Sequence, residues 1–162
     1  MAEGLTVRLM QPGDGAAWQQ VFAAVADDGL WIGAEPPVRD RSAEVEAQYV
    51  GSASDVMFLA CVETAVVGWI SGDTDETGCV ELGMGVLDAF RGQGIGSALM
   101  EVIVGWAGAQ PLTLRVFPHN ERALALYRKF GFVEVPEKVG VWPRRNGEFW
   151  DLLFMQRPVR PI

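Results

Sequence analysis

Cysteine and histidine are scarce in this sequence of 162 residues, which contains two cysteines, Cys61 and Cys79, and one histidine, His119. Two cysteines in separate apolar runs and a single histidine do not supply the ligands of a zinc site, so no metal is expected. Neither cysteine has a neighbouring residue that would activate a thiolate. Both are therefore interpreted as reduced residues of the core.

Long apolar runs and an excess of positive charge are also missing. No stretch approaches the ~18 apolar residues that span a bilayer. Residues 1–10 lack the basic and apolar regions of a signal peptide, which predicts a cytoplasmic location. Thirteen Lys and Arg against 21 Asp and Glu give a net charge of −8. That charge opposes binding to nucleic acid or to an anionic membrane.

Hydrophobic periodicity divides the chain into strands and helices, with no repeat or linker, so one domain is expected over residues 1–162. The predicted order is strand, helix, helix, three strands, helix, strand, helix and two strands, which is typical of a mixed sheet covered by helices. The ranges are 5–10, 16–26, 42–50, 56–62, 65–71, 79–87, 95–107, 112–117, 121–130, 132–135 and 148–155, with loops at 30–40 and 137–147.

Three residues carry further structural predictions. Asp14 precedes the first helix and is a candidate N-cap residue. Gly83 and Gly85 interrupt the strand at 79–87. Glycine inside a strand indicates a β-bulge or a place where another group, of the protein or of a ligand, approaches the backbone closely.

A glycine-rich segment, residues 91–97, joins an apolar strand to a long amphipathic helix. The first amides of a helix have no internal partner, and glycines let them close on an anion, which predicts phosphate binding. Arg91 either adds a donor or caps a surface loop. The segment has no lysine for a P-loop, and Leu99 stands where a dinucleotide fingerprint needs its third glycine. A connector without a ligand is the alternative.

Two motifs stand out in the second half of the chain. The first is Arg91-Gly92-Gln93-Gly94-Ile95-Gly96, and the second is Asn120 followed by a helix that ends in Tyr127-Arg128-Lys129-Phe130-Gly131-Phe132. The first resembles the Arg/Gln-x-x-Gly-x-Gly/Ala signature of the GNAT superfamily of N-acetyltransferases, and the second resembles that family's second hallmark. The resemblance covers nearly the whole chain. It implies the GNAT fold, an α/β (α+β mixed) fold with a central mixed, mostly antiparallel sheet of about six to seven strands flanked by about four helices.

The resemblance further implies acetyl-CoA as the cosubstrate. Its pyrophosphate is expected on the amides of residues 92–97, and its pantetheine arm along the backbone of residues 84–86, as an added strand. Asn120 would contact the arm or fix the local loop. The expected cofactor-binding residues are Met84, Gly85, Val86, Arg91, Gly92, Gln93, Gly94, Ile95, Gly96, Ser97 and Asn120.

Acyl transfer from a thioester to an amine needs a base for the ammonium, a donor for the oxyanion and an acid for the thiolate. Tyr127 is the predicted acid, because a phenol is protonated at neutral pH; a core aromatic is the alternative. A backbone N–H near Val86 is the predicted oxyanion donor. Glu81 is the predicted base, directly or through water, with a solvated strand carboxylate as the alternative. His119 is a further candidate base.

The acceptor site is expected in the loop at 30–40. Glu35 there would hold a cationic amine and Trp31 would offer an aromatic face; an acidic surface loop with a packed tryptophan is the alternative. Arg115 stands where some protein N-terminal acetyltransferases of the family carry a glutamate, which disfavours a ribosomal-protein acceptor. An acyl-enzyme would need an activated nucleophile, and neither cysteine has a neighbouring residue that would activate it. Direct transfer in a ternary complex is therefore expected.

The sequence therefore predicts an N-acetyltransferase that moves an acetyl group from acetyl-CoA to a primary amine of a small molecule, such as an amino acid, a polyamine or an antibiotic-like amine. A peptide or protein N-terminal acetyltransferase and a catalytically silent acyl-CoA-binding sensor are the alternatives. The apolar edge strands near the C-terminus are compatible with a homodimer.

Overall fold

A computed structural model describes residues 2–159, which contain seven strands and four α-helices. The helices are α1 Gly15–Asp27, α2 Ser42–Tyr49, α3 Ile95–Ala107 and α4 Glu121–Lys129, and a short 3-10 helix spans Asp88–Phe90. The strands are β1 Leu5–Leu9, β2 Val56–Val62, β3 Ala65–Thr74, β4 Val80–Val86, β5 Leu112–Val116, β6 Val133–Pro143 and β7 Phe149–Arg157.

The strands form one sheet in the order β1-β2-β3-β4-β5-β7-β6. The β4–β5 pair is parallel and the other neighbouring pairs are antiparallel. The predicted element order and fold class are therefore confirmed. No helix within residues 2–159 has both the length and the apolar composition that crossing a membrane requires.

Each face of the sheet buries its own apolar cluster. On one face, Ile70 and Leu82 of the sheet pack with Leu99 of α3 and Leu124 of α4. On the other face, Leu59 and Trp69 pack with Trp18 of α1 and Val45 of α2. Side chains alternate along a strand, so neighbouring residues such as Trp69 and Ile70 serve opposite faces. This alternation decides which face each functional side chain of β3 and β4 reaches.

Strands β4 and β5 separate after a short contact. Their ladder consists of the pairs Val80–Leu112 and Glu81–Thr113. Beyond Glu81, β4 remains paired with β3 as far as Val86, but its other edge has no strand beside it among the described residues. The sheet is therefore split along one side of β4.

The backbone of β4 points its free polar groups into this split. The amide of Val80 donates to the carbonyl of Pro111 on the β5 side at 2.9 Å, and the amide of Leu87 donates to Val67 on the β3 side at 2.9 Å. Because successive residues point to alternate edges, the N–H and C=O groups of Leu82, Met84 and Val86 face the split. They form an open edge to which an extended ligand can add as a strand.

The bulge expected at the glycines of β4 is wrong. The register between β3 and β4 runs without a shift from the pair Gly68–Val86 to the pair Thr74–Val80. At Gly85 the structure shows the other alternative, a close approach to the backbone, because a Cβ there would overlap the ring of Trp69. The glycine thus makes room for an aromatic ring of the neighbouring strand.

The loop expected at 137–147 is wrong for its first half, since β6 continues to Pro143. This strand lies at the edge of the sheet, where a proline removes an N–H that needs no ladder partner. A register shift between Glu134 and Val139 accommodates the irregular stretch around Pro136. The remainder of that loop, residues 144–147, forms a turn in which the Gly147 amide donates to the Arg144 carbonyl at 3.0 Å.

Asp14 stands at the N-cap position of α1 but does not cap the helix with its side chain. Its carboxylate accepts two hydrogen bonds from Arg8, at 2.6 and 3.0 Å, and this contact holds the pKa of Asp14 below its usual range. Glu46 of α2 bonds to the helix start instead, accepting from the amides of Gly13 and Gly15 at 2.8 Å each. The expectation of an Asp14 cap is therefore wrong.

Candidate active site

The split between β4 and β5 opens into a cleft of about 830 Å³. It is lined by β4, the first turn of α3, the end of β5, α4 and residues 31–33. At one end lie the backbone amides at the start of α3. At the other end, on the face that carries α1 and α2, lie Asp73, Glu81 and Arg115. One cleft thus joins the two faces of the sheet.

The start of α3, at one end of the cleft, has the features of an anion-binding site, and we call this part of the cleft the anion-binding end. Gly92 and Gly94 have φ angles of 76° and 81°, a conformation that side chains disfavour. Gly94 is the N-cap residue, and no side chain caps the helix. The amides of Ile95, Gly96 and Ser97 therefore have no cap to displace, and the helix dipole adds positive potential. This geometry suits a pyrophosphate.

Most of the residues expected to bind the cosubstrate line this cleft. Gln93 is the exception. Its side-chain amide donates to the Ala89 carbonyl at 3.4 Å, and its backbone carbonyl accepts from the Ala2 amide at 3.1 Å. The residues that do line the cleft are Met84, Gly85, Val86, Arg91, Gly92, Gly94, Ile95, Gly96, Ser97 and Asn120.

Arg91 is fixed at the rim of the cleft by two carboxylates. Its guanidinium lies 3.4 Å from Asp28 and 3.3 Å from Asp88, and it stacks 5.3 Å from the centre of the Trp31 ring. Of the two roles expected for Arg91, the structure therefore displays the contacts of a loop-fixing residue. The stacking contact with Arg91 also fixes Trp31, which lines the cleft.

Asn120 and Tyr127 stand at the two ends of α4. Asn120 is the N-cap residue, and its Oδ1 accepts from the Ala123 amide at 3.3 Å, which fixes the local loop. Tyr127 is buried in the α3–α4 core and also lines the cleft. Its hydroxyl makes no hydrogen bond to any other described residue. Burial raises the pKa of Tyr127 to about 12, so the phenol is protonated at neutral pH.

Three charged side chains meet at the other end of the cleft. Glu81 of β4 lies directly opposite Asp73 of β3 in the antiparallel ladder. Oε1 of Glu81 accepts a hydrogen bond from Nη2 of Arg115 at 3.1 Å. Oδ1 of Asp73 accepts from the hydroxyl of Tyr49 at 2.7 Å, and burial together with this bond raises the pKa of Tyr49.

Sequence reasoning identified Glu81 but missed its two neighbours as site residues. Asp73 lies outside the predicted strand at 65–71, whereas β3 extends to Thr74 and places Asp73 on the cleft. Arg115 was noted only as a departure from the family pattern. The hydrogen bond between Glu81 and Arg115 joins residues 34 positions apart in the chain, so no local pattern signals it.

The loop at 30–40, in which the acceptor site is expected, is called the acceptor loop. It is attached to the turn between β6 and β7. The carboxylate of Glu35 accepts from the Arg145 amide at 2.9 Å and lies 3.5 Å from Nε of Arg144. Nε1 of Trp142 donates to the Gly33 carbonyl at 3.1 Å. Glu35 does not line the cleft, so its expected role as holder of a cationic amine stays a prediction that requires these contacts to break.

Arg144 is the buried centre of this attachment, with 5% of its surface exposed. Its guanidinium donates to the carbonyls of Gly29 at 2.9 Å and Gly33 at 3.3 Å. The sequence placed Arg144 only in the predicted loop at 137–147. Nothing local distinguishes it from Arg145, which is exposed.

His119 lines the cleft and lies in an aromatic cluster. Its ring stacks on Phe117 at 5.4 Å between centroids and meets Trp150 edge-on at 5.1 Å. Its Nε2 is 2.6 Å from the carbonyl oxygen of Leu30. A carbonyl only accepts, so Nε2 carries the proton and Nδ1 is the nitrogen left to act as a base.

Comparison with known proteins agrees with this geometry. The profile of the acetyltransferase (GNAT) family matches residues 18–132. The L-amino acid N-acetyltransferase AaaT of Escherichia coli is 29% identical over 107 residues, which are 61% of this chain and 65% of that protein, just under two thirds of its length. The aminoglycoside N(6')-acetyltransferase type 1 of Stenotrophomonas maltophilia is 28% identical over 153 residues, 86% of this chain and 93% of that protein.

Solved structures match over nearly the full length. A putative phosphinothricin N-acetyltransferase superposes with a TM-score of 0.82 at 26% identity, covering 97% of this chain and 99% of that one. A phosphinothricin acetyltransferase from Sinorhizobium meliloti, solved with acetyl-CoA, has a TM-score of 0.80 at 20% identity, covering 96% and 89%.

These matches, together with the fold, define an acetyl-CoA-dependent N-acetyltransferase. The chain belongs to the GNAT family of acetyltransferases. The predicted family, enzyme class and cosubstrate are confirmed. The residues of the cleft fit that cosubstrate, because uncapped helix amides and an open strand edge are both present.

Proposed function

We propose that this chain transfers the acetyl group of acetyl-CoA to a primary amine of a small molecule within a ternary complex. The observation that supports this most is the cleft, which connects the anion-binding amides of α3 with the charged group on the opposite face. Trp31, Ile32, Gly33 and Trp142 line the cleft. A wall formed by these residues favours a small molecule over an extended polypeptide.

The cosubstrate supplies an activated acetyl thioester, and the chain binds and orients it. The amides of residues 95–97 bind the pyrophosphate. The open edge of β4 at Met84 and Val86 pairs with the pantetheine arm, and the Val86 N–H is positioned to donate to an oxyanion. The Tyr127 hydroxyl gives its proton to the departing thiolate, and its high pKa keeps that proton in place until then.

Glu81 takes the proton that the acceptor's ammonium must lose, directly or through one water. The hydrogen bond from Arg115 fixes the orientation of its carboxylate. Cys61 is buried and Cys79 half-buried, and neither lines the cleft, which supports direct transfer without an acyl-enzyme.

Several narrower predictions belong to this proposal. The acceptor is an amino acid, a polyamine or an antibiotic-like amine, and Trp31 contacts it. The proposal also includes a cytoplasmic location and no binding to nucleic acid. A homodimer is retained on the ground that edge strand β6 exposes Val133 and Val141.

The proposal is tested by calorimetric titration with acetyl-CoA, followed on the same sample by a thiol-release assay. The acceptor panel contains amino acids, polyamines, aminoglycosides and short peptides. Binding together with turnover of one small-molecule class is the expected result. Binding without turnover of any acceptor would support the sensor instead, and turnover confined to peptides would support the N-terminal acetyltransferase.

A further inference from the structure

The end of the cleft that contains Asp73, Glu81 and Arg115, which we call the acceptor end, carries charges of both signs. Asp73 and Glu81 are cross-strand neighbours, and side chains in such pairs have Cβ atoms about 4.5–5.5 Å apart. Two carboxylates at this spacing repel each other and favour a cation between them. The site thus has a natural place for an ammonium group, next to the candidate base.

Arg115 adds a positive charge at the same place. Its Nη2 is bonded to Glu81, whereas its Nε and Nη1 have no hydrogen-bond partner in the part of the chain that the structure describes. The centre of the Trp142 ring lies 5.7 Å from the guanidinium carbon of Arg115, and 40% of the Arg115 side chain is exposed. A planar fork of free donors beside an aromatic ring is suited to a carboxylate.

We infer that Arg115 binds an anionic group of the acceptor, so that the acceptor is a zwitterion of the α-amino acid class. This inference rests on the proposed function and narrows it. The acceptor's ammonium lies between Asp73 and Glu81, and its carboxylate lies on the free donors of Arg115. A polyamine or an aminoglycoside would instead bring positive charge against Arg115. The ring of Trp142, which lines the cleft beside Arg115, favours an apolar side chain on the acceptor.

The competing role for Arg115 is to orient Glu81 and nothing more. The two roles differ in what they predict for acceptors that lack the carboxylate. An orienting residue affects the rate with every acceptor equally, because the base serves them all. A carboxylate-binding residue affects KM, and only for acceptors that carry the carboxylate.

The test uses matched acceptors that share a side chain and differ in charge. One set is L-leucine, L-leucinamide and 3-methylbutylamine, and a second is L-phenylalanine, L-phenylalaninamide and phenethylamine. Steady-state kcat and KM are measured with saturating acetyl-CoA for the unchanged chain, Arg115→Gln, Arg115→Lys and the control Arg128→Ala. Arg128 pairs with Glu134 on the surface, away from the cleft. Binding of each acceptor to the CoA-loaded protein is measured by calorimetry.

For the unchanged chain, we expect kcat/KM for the amino acid to exceed that for the amide and the amine at least about tenfold, as a charge-assisted pair provides. Arg115→Gln should raise KM for the amino acid about tenfold or more but leave KM for the amide and the amine nearly unchanged, and Arg115→Lys should restore part of the loss. Any fall in kcat from the lost bond to Glu81 should be equal for the three acceptors. Equal efficiency of the unchanged chain with the three acceptors, or an effect of Arg115→Gln that is confined to kcat and equal for all of them, would overturn the inference.

The calorimetric arm separates this inference from the proposed function. Amino-acid binding that depends on Arg115, without turnover, would support the inference and contradict the proposed activity. Turnover of amines with no preference for a carboxylate would support the activity and overturn the inference. If the protein neither binds nor acetylates L-leucine or L-phenylalanine, the inference is overturned as well.

Discussion

The guanidinium carbon of Arg144 lies 4.0 Å from the centre of the Trp150 ring, which stacks a buried cation on an aromatic face. Arg144 also bonds to carbonyls of the acceptor loop and lies beside Glu35. One side chain from the turn between β6 and β7 thereby fixes the loop that forms the acceptor wall. Loss of that side chain should affect both stability and acceptor binding.

We expect Arg144→Ala to lower the free energy of unfolding by about 3 kcal/mol, because it leaves a carboxylate and several carbonyls without their buried partner. Urea unfolding measures the loss, and the acceptor KM should rise in parallel. The exposed pair Arg128–Glu134 provides the control, since Arg128→Ala should cost under about 0.5 kcal/mol. A loss below about 1 kcal/mol for Arg144→Ala would contradict the role described for it.

Tyr127→Phe removes the proposed acid and little else, since the ring remains in the core. We expect acetyl-CoA affinity and thermal stability to stay nearly unchanged while kcat falls at least about tenfold. Calorimetry and the thiol-release assay measure the two quantities on one sample. The pKa of about 12 also implies that kcat of the unchanged chain shows no alkaline fall from Tyr127 below about pH 11. Unchanged turnover in Tyr127→Phe would rule out this acid.

Glu81→Gln should lower kcat/KM about a hundredfold at neutral pH, the scale of a lost general base. The defect should shrink as the pH approaches the pKa of the acceptor's ammonium, because a free amine no longer needs a base. The pH profiles of the variant and the unchanged chain provide the measurement. Glu101→Gln, an exposed change on α3, is the matched control. A ratio that stays constant across the pH range would argue against Glu81 as the base.

Gly94→Glu should abolish binding of acetyl-CoA, because it forces a side chain into a conformation with φ of 81° and places a negative charge beside the phosphates. Calorimetric titration checks the loss. Gly105→Glu puts the same charge on an exposed part of the same helix, where a Cβ meets no atom within 4 Å, and should bind normally. Normal affinity in the Gly94 variant would place the phosphate site elsewhere.

Local patterns predicted most of the fold. The bounds of β2 and α3 agree with the sequence ranges because each has strong periodicity and clear end signals. The second half of β6 was missed since Pro136, Lys138 and Gly140 are typical of loops. An edge strand tolerates them, because only one of its sides takes part in the ladder.

The sequence predicts the residues of one end of the cleft better than those of the other. The anion-binding end is a contiguous segment, and its glycines have φ angles that the motif itself requires. The acceptor end depends on contacts between residues far apart in the chain, such as Glu81 with Arg115 and Glu35 with Arg144. Such pairings follow from the register of the sheet and the path of a loop, neither of which leaves a local signal.

The parting of β4 from β5 also divides the mechanical framework of the protein. Four strands lie on one side and three on the other, and the two groups share a ladder of only the pairs Val80–Leu112 and Glu81–Thr113. On the proposed function, the pantetheine arm of the cosubstrate pairs with the free edge of β4, between these two groups of strands. A ligand bound only by the folded state stabilises that state, so the thermal stability of the protein should rise with the concentration of its acyl donor.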